Sequence, residues 1–134
     1  MGPKKMINKL AEELYGKSVK FKKYSVGDLL RRTKRSELLE ELNETQTCVN
    51  QLLKEMKDDA DYSSEYYELA LFMSRSLFEC VFYLASANRN SKLTALKYIH
   101  GFHNLPRAFL SLENRSHISA NDALNYYRSY LMLD

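Results

Sequence analysis

The chain has 134 residues, 45% hydrophobic and 12% aromatic, with four glycines and two prolines. That content excludes a wholly disordered chain, and the shortage of Gly and Pro argues against an all-β fold built on many tight turns. The formal charge of +3 is unevenly spread: residues 1–35 carry eleven Lys or Arg against three Asp or Glu, and residues 36–134 carry nine against fourteen.

In chain order, Ile7, Leu10, Ala11 and Leu14 share one helical face of residues 6–15, and Gly16 reads as a stop. In residues 17–24, Val19 and Phe21 alternate with Lys20 and Lys22, too briefly to decide between strand and connector. A connector is expected, because no partner strand is evident. Ser25 and Asp28 have the Ser-x-x-Asp form of a helix cap, which predicts a short helix over 28–35, and Ser36 reads as a second cap.

From residue 37 the pattern is the most regular in the chain. Leu38, Leu42, Thr45, Val49, Leu52 and Met56 follow one another at alternating steps of four and three. This heptad seam predicts a long helix to residue 57, packed inside a bundle, with a homodimer through the 38–56 seam as the alternative. A polar run at 57–63 ends it, with Asp61, Ser63 or Ser64 available to cap the next helix.

Residues 64–87 are apolar or aromatic at most positions and hold neither Pro nor Gly. They predict a central helix touched on several sides, with Arg75 and Glu79, four apart, pairing along a solvated edge. Those two charges also exclude a membrane span. Ser91 reads as the cap of a helix over 92–103, Pro106 as an interruption and 107–112 as a short turn or helix. A loop at 113–118 precedes a final helix capped by Ser119, whose Ala123, Tyr127, Tyr130 and Leu131 can dock. The reading is a single all-α domain over 1–134, a compact bundle of five or six helices around a central apolar helix, with a basic part at 1–35 and a helical core at 36–134.

Little catalytic chemistry is legible. His100 and His103 stand three apart, but no matched third ligand, HExxH or Glu-x-x-His accompanies them, so no metal is expected. Cys48 and Cys80 lie among apolar helical residues, where a thiol is inert, and with no signal-peptide h-region they are read as unpaired in a reducing interior. The glycines are dispersed, so no phosphate-cradling loop and no cofactor is expected.

Two functional signals remain. Lys20, Lys22, Lys23, Arg31, Arg32, Lys34 and Arg35, with Phe21 and Tyr24 interleaved, suit an acidic protein partner or the phosphates of a nucleic acid. Charges of this kind equally suit attraction within the fold. Tyr126, Tyr127 and Tyr130 are too many for one buried face and point to a protein interface. The expectation is a non-enzymatic, cytoplasmic protein-interaction module such as a regulator, adaptor or assembly subunit, without membrane or cofactor. The nucleus is left open, and a nucleic-acid-binding protein using residues 17–35 is the alternative.

Overall fold

The computed structural model describes residues 3–57, 64–113 and 125. Six α-helices run in order: α1 (Pro3–Lys20), α2 (Val26–Leu29), α3 (Arg32–Lys57), α4 (Ser64–Ala85), α5 (Arg89–Gly101) and α6 (Asn104–Glu113), with a 3-10 turn at Phe21–Lys23. No strand occurs among the described residues, and the fold is an all-α bundle. The final helix expected after Ser119 and the caps expected at Asp61 and Ser63 lie outside the described residues.

Helix α3 is 26 residues, about 39 Å long. The chain from Lys57 to Ser64 reaches at most about 25 Å, too little to return to the start of α3, so α4 must run back alongside it. Gln46 of α3 meets Ser74 of α4 accordingly, Nε2 donating to Oγ at 2.8 Å. The heptad seam of α3 is buried at every position from Leu38 to Met56. It therefore belongs to the core of one chain, and a homodimer through the 38–56 seam would require that core to open. Thr45, its polar member, donates Oγ1 to the carbonyl of Glu41 at 2.7 Å, which makes its burial tolerable.

Helices α1 and α4 pack along α3, α5 packs on α4, and α6 bridges α1 and α4. From α4 the core receives Leu69, Ala70, Met73, Leu77, Cys80 and Leu84. Aromatic rings meet within the core and at its edge: Phe21 meets Phe102 edge-on at 6.2 Å, and Tyr66 meets Phe109 at 5.1 Å. Tyr83 stacks on Tyr98, whose hydroxyl donates to Glu79. Glu79 is thereby drawn to α5, and the expected Arg75–Glu79 pair is replaced by this contact.

Several element ends differ from the sequence reading, each for a local reason. The buried stripe Ile7, Leu10, Leu14, Ser18 continues past Gly16 to Phe21, so packing carries α1 through the glycine and turns the expected connector into helix. Ser25 and Asp28 do form the capping box, but over α2 alone. Arg32–Arg35 then open α3, which places Ser36 inside that helix. Asn88, not Ser91, caps α5, its side chain accepting from the Asn90 amide at 2.8 Å. Pro106 falls in the first turn of α6, where a missing N–H is harmless, so a helix starts at Asn104 where an interruption was expected.

A methyl group placed on Gly16 would meet no atom within 4 Å. Gly16→Ala is therefore expected to raise stability by about 0.5–1 kcal/mol, measured as a higher urea midpoint with unchanged slope. A lower midpoint would show that the helix needs glycine there.

Candidate functional site

The basic segment is largely engaged by the chain's own acids. Lys23 Nζ lies 2.9 Å from Glu41 and 3.5 Å from Glu37, Lys34 lies 3.4 Å from Glu37, and Arg31 lies 2.8 Å from Asp28. Lys17, within the same segment, reaches Glu44 at 3.8 Å. Arg35 donates to the Leu29 carbonyl at 3.1 Å, closing the α2–α3 turn. Of the seven cations singled out in the sequence, Lys20, Lys22 and Arg32 are exposed and make no ion pair to a described residue.

Glu41 is the hub of this arrangement. One carboxylate oxygen accepts from Lys23 and the other accepts from the buried Tyr24 hydroxyl at 2.8 Å. The hydrogen bond to Glu41 pushes the Lys23 ammonium above its ordinary value, while burial, then the Glu41 contact, pushes up the Tyr24 phenol. His100 Nε2 lies 2.7 Å from the Tyr24 carbonyl, tying α5 to the same corner. His103 Nδ1 lies 3.1 Å from the His100 carbonyl. Burial, with the Lys22 charge second, lowers the His103 pKa. His100 and His103 thus contact backbone carbonyls, and among the described residues no cluster of three or more metal-ligating groups forms.

Burial pushes the Cys48 thiol up to about 11 and the Cys80 thiol up to about 12. Both are unpaired and buried, as expected of small apolar side chains.

A concavity lies elsewhere, between α3 and α4. It is an open groove of about 760 Å³. Leu42 and Leu77 form part of its floor, Leu39, Asn43 and Gln46 line the α3 side, and Leu71, Arg75, Phe78 and Val81 line the α4 side. Phe78 is 74% exposed, and Phe82, one turn further along α4, is 70% exposed. Two phenylalanines held this far in water forgo on the order of 5 kcal/mol of burial free energy. A contiguous apolar face of this kind is a mark of a surface made for contact.

Sequence reasoning left Arg75 on a solvated edge, read the apolar residues of α4 as core and missed the groove. The available signal was that α4 is apolar in nearly every direction, more than α3, α5 and α6 together can cover. The tyrosines proposed as an interface, Tyr126, Tyr127 and Tyr130, lie outside the described residues. Set against protein-family models, curated proteins and solved structures, the chain matches none.

The ion pairs predict the acid side of the stability profile. The Ser25 amide, donating to Asp28 at 2.9 Å, is the main cause holding that carboxyl below its ordinary 3.8. Lys34 is the main cause holding Glu37 below its ordinary 4.5. Folded values below unfolded ones give stability that is full above the unfolded pKa and is lost as pH falls through the folded one. Urea midpoints should therefore decline below about pH 4.5, and Asp28→Asn/Glu37→Gln should make that decline shallower. An unchanged slope would mean that neither pairing acts in solution.

Proposed function

We propose that this chain is a non-enzymatic protein-interaction module of the cell interior, a regulator, adaptor or assembly subunit, and that its α3–α4 groove receives an amphipathic helix of a partner protein. The observation that carries this reading is the exposure of Phe78, which lines a groove between two long helices, and of Phe82, one turn further along α4. An amphipathic helix laid into such a groove is a recurring mode of recognition, with aromatic and aliphatic anchors one or two turns apart. Phe78 and Phe82 have that spacing.

Other features favour binding over catalysis. The thiols are pushed to about 11 and 12, so thiolate is scarce at neutral pH. His100 and His103 are bound to backbone carbonyls of the fold itself. No described helix is long and apolar enough to cross a membrane. Placement in the cell interior rests on the two unpaired, buried cysteines, the usual state in a reducing compartment.

The nucleic-acid alternative rests on Lys20, Lys22 and Arg32, because phosphates would have to displace Glu37, Glu41 or Asp28 to reach Lys23, Lys34 or Arg31. Three phosphate contacts give a slope of about −2.7 in log K against log salt, a weak and shallow interaction.

The test is panning of a displayed library of helical peptides on the full chain. Selected peptides are expected to bind the wild type and to lose at least about 100-fold in affinity to Phe78→Glu/Phe82→Glu. That variant should keep its helical circular dichroism and its urea midpoint within about 0.5 kcal/mol, since both side chains point to solvent. Peptides that bind the variant equally well would overturn the groove. Steep, salt-sensitive binding of duplex DNA or RNA, lost in Lys20→Glu/Lys22→Glu/Arg32→Glu, would favour the alternative.

A further inference from the structure

The groove has two unlike walls, and their register says what kind of helix fits. On α4 the outward ridge is Leu71, Arg75 and Phe78, continued beyond the groove by Phe82, at steps of four, three and four; on α3 the facing ridge is Leu39, Asn43 and Gln46, continued by Asn50, at the same steps. These are second heptad rows, lying beside the buried seams that join α3 to α4. Two helices with matched outer heptad rows form the acceptor surface of a third helix packed by knobs into holes.

The α4 wall is apolar but for Ser74 and Arg75. The α3 wall is amide-rich, with Gln46 Nε2 donating to both Ser74 at 2.8 Å and Asn50 Oδ1 at 3.0 Å. Arg75 is exposed, and it makes no ion pair to a described residue. Its nearest carboxylate along the helix, Glu79, accepts from Tyr98 on α5. Covering the groove would strip water from a guanidinium set between Leu71 and Phe78, which is unfavourable unless the incoming surface brings an anion.

Resting on the groove reading above, we propose that the partner segment is an acidic amphipathic helix: three turns or more, apolar at heptad spacing toward Leu71, Phe78 and Phe82, with an Asp or Glu placed to pair with Arg75. The ridge from Leu71 to Phe82 is about 16 Å long, which sets the minimum of three turns. A second copy of this chain is disfavoured by charge. A two-fold pairing of α4 ridges inverts them about their midpoint, between Arg75 and Phe78, and brings the two guanidinium groups within one turn of each other.

The test uses the full chain and 14-residue hydrocarbon-stapled peptides with Leu at heptad positions, each carrying Glu or Lys at one flanking position in turn, read by fluorescence polarisation. For the position facing Arg75, the Glu peptide is expected to bind the wild type about tenfold tighter than its Lys counterpart. Arg75→Glu should reverse the order, and Arg75→Lys should retain it. Binding that Phe78→Glu/Phe82→Glu removes but that ignores the peptide's charge would overturn this inference and leave the groove reading standing. Failure of every peptide on wild type would overturn it too. So would a wild-type dimer, seen by sedimentation, that Phe78→Glu dissociates, or peptide binding that appears only after Tyr127→Glu/Tyr130→Glu, because the occupant would then be a second copy or this chain's own end.

Discussion

The side-by-side antiparallel contact of α3 and α4 is the constraint from which the remaining structure follows. A helix offers a limited arc to any neighbour, and the heptad seam of α3 turns the arc holding Leu38, Leu42, Val49 and Leu52 into the domain. Once α4 lies along it, the two helices define one filled trough, in which α1, α5 and α6 complete the core. They also define a second trough on the opposite flank, and there no described helix lies. The buried seam and the open groove are thus two sides of one packing event: the contact that buries Leu42 and Leu77 also sets the outer ridges a fixed distance apart.

Charge organises the N-terminal corner in a similar way. The basic run between Lys17 and Arg35 sits beside the acidic residues Glu37, Glu41 and Glu44 of α3; Lys17–Glu44, Lys23–Glu37 and Lys23–Glu41 join α1 and the turn after it to the long helix, and Lys34–Glu37 lies within that helix. Each exposed pair contributes at most about 1 kcal/mol, so attraction alone does not hold the corner. The decisive contacts are the buried ones: Phe21 under Phe102, and Tyr24, whose ring is enclosed while its hydroxyl reaches Glu41. The charges select the register in which those rings are buried, and they leave the domain's most basic stretch partly neutralised by its own carboxylates.

The heptad seam, the length of the central helix and the Ser25–Asp28 capping box were legible in the sequence because each depends on spacing within one segment. The path of α1 through Gly16 was not, because the glycine's local preference is outweighed by burial of Ser18 and of Phe21, whose ring meets the distant Phe102. Nor was the start of α6, where Pro106 is tolerated only by its position in the first turn. The basic segment was visible as composition but not as pairing, since Glu37 and Glu41 meet Lys23 through a turn that the pattern of charges does not encode. The groove was hidden for a related reason. Leu71, Phe78 and Phe82 have the composition of a core, and only the placement of α5 and α6 on the other side of α4 leaves them in water.

That placement bears on why α4 keeps an apolar outer face at all. A helix with Leu71, Phe78 and Phe82 replaced by polar residues would fold against α3 as well, since none of the three is buried in the core. Among the described residues the exposed face therefore contributes nothing evident to the core, and it carries the risk of non-specific association. The opposite wall limits that risk. Gln46 donates to Asn50 and Ser74, and an incoming apolar surface that covered Asn43, Gln46 and Asn50 without offering hydrogen bonds would leave amides unpaired. Arg75 adds the same penalty for a surface without an anion. Apolar attraction supplies the affinity, and the polar positions in both heptad rows make it conditional on the partner's pattern.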